Sequence, residues 1–128
     1  MALVRITPDT IIATLFDFHN KAHFFHLQTT SFEQHKFLDT LYKELVEMKD
    51  SIGEYLLGVQ APRRFGIITL SQLEPYSEQN VQKLIEEGIF FSKDLCKYAE
   101  TNCLDGLIDF SSKLNQLFVS AKLFSTYR

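Results

Sequence analysis

The chain has 128 residues, 45% of them apolar, and a net charge of −3 from 13 basic and 16 acidic side chains. That length accommodates one domain with a sizeable core and not two. The charge balance gives no electrostatic ground for nucleic-acid binding, and no window approaches the roughly 18 uncharged apolar residues of a membrane span. With only five glycines and three prolines, long stretches carry no breaker, which favours helix over strand. The opening Met1–Arg5 lacks the apolar core of a signal peptide, so a cytoplasmic protein is expected. Cys96 and Cys103 lie seven apart, about 10 Å along a helix axis and too far for a bridge within it, so two reduced, partly buried thiols are expected.

Thr7-Pro8-Asp9 is a helix start: a hydroxyl cap, a proline at the first helical position and an acid at the positive dipole end. Ile11, Ile12, Leu15, Phe16, Phe18 and Ala22 carry helix A to about Leu27 at helical spacing. After Gln28-Thr29-Thr30, Thr30 with Glu33 fits a capping box and starts helix B near Ser31, with Gly58 as its stop. Leu41, Leu45, Met48, Ile52 and Tyr55 form a bundle seam. Residues 59–76 read as a long connection containing a short helix or turn. Ser77 caps helix C, which runs to about Thr101 through Val81, Leu84, Ile85, Phe91, Leu95 and Tyr98. Asn102-Cys103 is a tight break, and helix D follows from Leu104 through Leu107, Phe110, Leu114, Leu117, Ala121 and Phe124. The pattern predicts one all-α domain over residues 1–128, a ferritin-like four-helix bundle with a long B–C crossover.

Five residues of ligand type are spread over the first two helices: His23, His35, Asp39, Asp50 and Glu54. His35 and Asp39 are four apart, as are Asp50 and Glu54, so each pair shares a helix face. On a helical wheel these four and Val46 span a roughly 100° arc nearly opposite the leucine seam. They therefore face away from the core of their own chain. Phe32, Tyr42 and Val46 share that face, which is unusual for a surface meant only for water. The midpoints of the two pairs are about 22 Å apart along the axis, a gap that one helix cannot close. A second, antiparallel copy of helix B, related by a two-fold axis near Glu44–Leu45, closes it twice per dimer. A turn centred near Thr29 sets His23 opposite His35 and His19 opposite Asp39. Two imidazoles with three carboxylates suit a borderline transition metal such as iron better than structural zinc. On spacing alone, a solvated polar face competes on about even terms with a metal site.

These residues resemble the Dps family, the DNA-binding proteins from starved cells, within the ferritin-like superfamily. The family pattern is approximately H-W-x-x-x-G-x-x-F-x-x-x-H-x-x-x-D, then D-x-x-x-E eleven residues later. His23, His35, Asp39, Asp50 and Glu54 follow that spacing, with Phe24 beside the first histidine and Phe32 one residue past the pattern's phenylalanine, and the likeness extends through helices C and D. The resemblance implies a ferroxidase, an oxidoreductase acting on iron(II) with hydrogen peroxide or oxygen and serving in oxidative stress. His23, His35 and Asp39 of one subunit would bind iron with Asp50 and Glu54 of its neighbour. Ferric product would be stored inside a hollow homo-oligomeric shell, twelve subunits built from two-fold dimers. Carboxylates stabilise ferric iron, and the histidines let ferrous iron bind first.

The chain departs from the family in three places. Phe24 replaces the tryptophan, removing an oxidisable indole. Gln28 replaces the turn glycine. No lysine-rich stretch precedes helix A, so DNA binding is not carried over. By the same resemblance Asp105 and Asp109, near Glu100, are candidates for pores that admit cations; early-helix dipole partners is the competing reading. Glu44 and Glu47 are candidates for ferric mineral nucleation, and solvation is their ordinary role. His19 and His26 flank the site as candidate outer groups or surface residues. Arg63-Arg64 reads as a salt-bridging doublet rather than a phosphate site. The competing function is a helical oligomer with a structural or interaction role that retains a vestigial metal site. A di-iron enzyme with an intra-bundle centre is disfavoured, since no Glu-x-x-His pair occurs.

Overall fold

Thr7 opens the first helix as its sequence predicts: its hydroxyl accepts from the Thr10 N–H at 3.2 Å, and the Thr10 hydroxyl accepts from the Thr7 N–H at 2.8 Å. The computed structural model describes residues 5–126; the reading of the N-terminal stretch rests largely on residues 1–4, outside the described residues. Four helices follow: α1 (Pro8–Gln28), α2 (Phe32–Gln60), α3 (Glu78–Thr101) and α4 (Asp105–Phe124). The described part is an all-α four-helix bundle, in which no helix is long and apolar enough to cross a membrane.

Two boundaries of α2 differ from the sequence reading. Its cap is Ser31, whose hydroxyl accepts from the Gln34 N–H at 3.2 Å, so Thr30 and Glu33 do not form the expected box. The helix also runs through Gly58, beside which nothing packs within 4 Å, and ends at Gln60 where Ala61-Pro62 interrupts it. Buried Leu56 holds the last turns against the core, and this outweighs a single exposed glycine. The third and fourth helices begin and break where predicted. Ser77 caps α3 by accepting from the Asn80 N–H at 2.9 Å. At its other end Cys103 adopts φ 56°, and the Leu104 and Cys103 N–H groups reach back to the Ala99 and Glu100 carbonyls at 2.8 and 3.2 Å. That is a Schellman ending with cysteine in the left-handed position. Both cysteines are free, but Cys103 is exposed rather than partly buried.

Neighbouring helices pack as antiparallel pairs around a ring in the order α1, α2, α4, α3, so the backbones of α2 and α3 lie across the bundle from each other. Ile11, Leu15, Leu38, Leu45, Ile52, Leu84, Leu95, Leu107 and Leu114 fill the centre. Phe18 of α1 meets Phe91 of α3 and Phe118 of α4 edge-on at 5.6 and 5.3 Å, the geometry that aromatic quadrupoles favour. Gly88 lets α3 come close to α4, because a Cβ there would lie 2.4 Å from the Phe118 ring. Few polar residues are fully buried, and bonds hold two of them: Gln34 donates to the Ser125 carbonyl at 3.0 Å, and the Ser92 hydroxyl accepts from Asn115 at 2.9 Å.

The connection from α2 to α3 contains a turn at Ala61–Pro62 but no short helix. It is laid along α1 by hydrogen bonds that recur down that helix. The Gly66 N–H donates to Asp9 at 3.2 Å, the Ser71 N–H and hydroxyl donate to Asp17 at 2.8 Å, and the Tyr76 N–H donates to Gln28 at 2.7 Å. The ten residue steps from 66 to 76 thus span the rise from Asp9 to Gln28, about 28 Å, which only near-extended backbone covers. Arg63 makes the salt bridge expected of it, to Asp9 at 3.5 Å.

Candidate metal centre

The centre is built where the end of α1 meets the start of α2. His26 and His35 stack with ring centroids 4.0 Å apart. Each ring reaches the other's backbone, Nδ1 of His26 donating to the His35 carbonyl and Nδ1 of His35 donating to the His26 carbonyl, both at 3.1 Å. The His26 carbonyl is one of the last four of α1, which have no acceptor role inside the helix. His35 therefore completes the C-terminal capping of α1 from the neighbouring helix.

One turn along, Asp39 receives a hydrogen bond from Lys43 at 2.9 Å through Oδ2, while its Oδ1 lies 3.8 Å from Nε2 of His26. The Lys43 hydrogen bond is the main cause holding the Asp39 carboxyl below its ordinary pKa, and the same bond raises that of Lys43. Lys43 is an i,i+4 partner whose signal stands in the sequence, but its competition for Asp39 was not anticipated.

His23 lies elsewhere. Its ring is flat on Tyr42, with centroids 4.3 Å apart and planes 5° apart, and His19 continues the aromatic row at 6.1 Å from His23. The expected pairing of His23 with His35 and of His19 with Asp39 is thus displaced by about one helical turn. With α1 reaching Gln28 and α2 starting only at Phe32, the His26–His35 pairing puts the centre of the turn between Thr30 and Ser31. His26, read as a flanking group, is the imidazole that meets both His35 and Asp39. Tyr42 is half-buried under these histidines, so packing within the chain accounts for its place on the ligand face.

His19 has a lowered pKa, first because burial disfavours its charged form and next because Lys49 and His23 repel it; Asp50 acts in the opposite sense. Its Nδ1 is buried without a hydrogen-bond partner among the described residues. Asp50 and Glu54 are exposed, on the side of α2 away from buried Leu41, Leu45, Ile52 and Leu56. Gly53, in the same stretch, is buried under Ile12 of α1, so α1 covers one edge of the ligand arc and leaves the rest open. Phe32 lies on the open side with 69% of its surface accessible. Among the described residues, no group of three or more His, Cys, Asp or Glu side chains gathers closely enough to hold a metal.

The remaining candidates are spread over the surface. Glu44 and Glu47 are exposed along a groove of about 880 Å³ between α2 and α4, floored by Phe37, Leu41, Met48 and Leu117. Glu100, Asp105 and Asp109 are exposed around the Schellman turn. Gln28, in place of the turn glycine, ends α1 without a left-handed backbone and instead anchors the connection through Tyr76. Phe24 is half-buried. No protein-family model and no curated protein sequence matches the chain.

Proposed function

We propose that the chain is a Dps-like, ferritin-type ferroxidase that oxidises iron(II), with hydrogen peroxide as the leading oxidant, and sequesters the ferric product inside a homo-oligomeric shell. The observation that carries this reading is the outward placement of Asp39, Asp50 and Glu54 on α2, opposite a fully buried leucine seam. Ligand-type residues on the outside of a helix, accompanied by an exposed phenylalanine, make sense as half of a site at a contact between copies. His23, His35 and Asp39 would come from one copy and Asp50 and Glu54 from the other. Iron is substrate here as well as the bound metal. A long connection between α2 and α3, held along α1 by hydrogen bonds from Gly66, Ser71 and Tyr76, supports reading it as the crossover of a ferritin-like bundle.

Glu44 and Glu47 would face the stored mineral from the α2–α4 groove, and Asp105 and Asp109 would line a cation pore; both roles rest on the resemblance. A structural oligomer with a vestigial site remains the second reading, favoured by the hold of Lys43 on Asp39. The two separate by experiment. A native mass near twelve subunits, together with iron(II) oxidation accelerated by peroxide, is the expected result. A monomer or dimer that leaves the rate of iron(II) oxidation unchanged is evidence against the proposal.

A further inference from the structure

His26 presents a free nitrogen to Asp39. A carbonyl oxygen only accepts hydrogen bonds, so the bond from His26 to the His35 carbonyl places a proton on Nδ1 and leaves the Nε2 lone pair of the neutral ring unused. The same holds for His35 and the His26 carbonyl. Stacking at 4.0 Å and these reciprocal bonds hold both rings in place. Nε2 of His26 then stands 3.8 Å from Oδ1 of Asp39, while Lys43 occupies Oδ2. At 3.8 Å the pair is not a hydrogen bond, for which N···O separations run about 2.7–3.2 Å. Two donors that bind one ion at about 2.0–2.2 Å stand about 3.0–3.5 Å apart at ordinary coordination angles. A movement of about half an ångström therefore brings this pair to the spacing of a shared cation.

We infer that His26 is a metal ligand, binding a divalent transition-metal ion through Nε2 jointly with Oδ1 of Asp39. The inference deepens the ferroxidase reading and rests on its assignment of Asp39 to the metal. It adds an imidazole that the sequence resemblance did not supply. Neutral nitrogen donors suit iron(II), cobalt(II) and zinc(II) better than harder ions such as magnesium or calcium.

The test uses the full chain labelled with nitrogen-15 histidine and zinc(II) as a redox-silent probe. Long-range proton–nitrogen correlation should show Nδ1-protonated His26 and His35 in the free protein, and a large shift of His26 Nε2 with the first equivalents of zinc. His26→Gln should weaken zinc binding about tenfold. If zinc shifts His23 or His35 but leaves His26 Nε2 unmoved, the inference is overturned and the ferroxidase reading stands. If no histidine responds to zinc or to iron(II), both are overturned.

Discussion

Lys43 sets the state of Asp39 in the isolated chain. Its ammonium hydrogen-bonds the carboxylate that the iron reading needs, so cation binding must displace it. Both groups are exposed, and such pairs are cheap to break. Lys43→Gln is therefore expected to tighten zinc(II) or anaerobic iron(II) binding roughly threefold, the release of a like-charged competitor near the surface. An unchanged or weaker affinity in titration calorimetry goes against this role. His19 yields a pH prediction. Its folded pKa lies below the ordinary 6.5, so the unfolded chain takes up the proton first as pH falls. Its contribution is thus complete above about pH 6.5 and is lost as pH drops from there through the lower folded value. His19→Gln should flatten the fall of the thermal midpoint across that window; an unaltered slope contradicts it. What the sequence could not disclose here is distance. His35 and Asp39 were legible as one face of a helix, but the meeting of His26 with His35 depends on a turn of three residues, where moving the centre by one and a half residues moves the partner by three, nearly a helical turn.

Local chemistry made three of the four helix starts readable. Thr7-Pro8, Ser77 and the break at Asn102-Cys103 satisfy their own backbone groups within a few residues, so no distant contact can move them far. Where Thr30 and Ser31 compete as caps, the sequence favours neither decisively, and the start of α2 moved by one residue. The path of the connection was not legible at all. Asp9, Asp17 and Gln28 look like ordinary polar residues of an amphipathic helix, yet they organise residues 66–76 along α1 by tertiary hydrogen bonds. The α3–α4 turn carries its own cost. Cys103 is exposed with φ 56°, a conformation in which a side chain is disfavoured by about 1 kcal/mol and glycine is not. Cys103→Gly should raise stability by about 0.5–1 kcal/mol, a gain of a few degrees in the thermal midpoint. A lower midpoint in calorimetry would mean that the thiol makes a stabilising contact.

Four helices bury the centre of the bundle, Leu38, Leu41, Leu45, Ile52 and Leu56 among it, and leave Asp50, Glu54 and Phe32 looking outward with Asp39 half-exposed beside them. Its ligand-type residues on this face stand apart from the buried core. That contrast is the reason to propose the chain as half of a site, and helix arithmetic motivates the same proposal, since 15 residues of helix cannot fold back on themselves. The most direct measurement is complementation. His35→Ala and Asp50→Ala proteins should each fold and each fail to oxidise iron(II). Dissociated, mixed in equal amounts and reassembled, half of their two-fold interfaces should be mixed, and each mixed interface has one of its two sites intact. The account predicts recovery of about a quarter of the unsubstituted protein's peroxide-driven oxidation; two inactive proteins that stay inactive after verified co-assembly contradict the shared site.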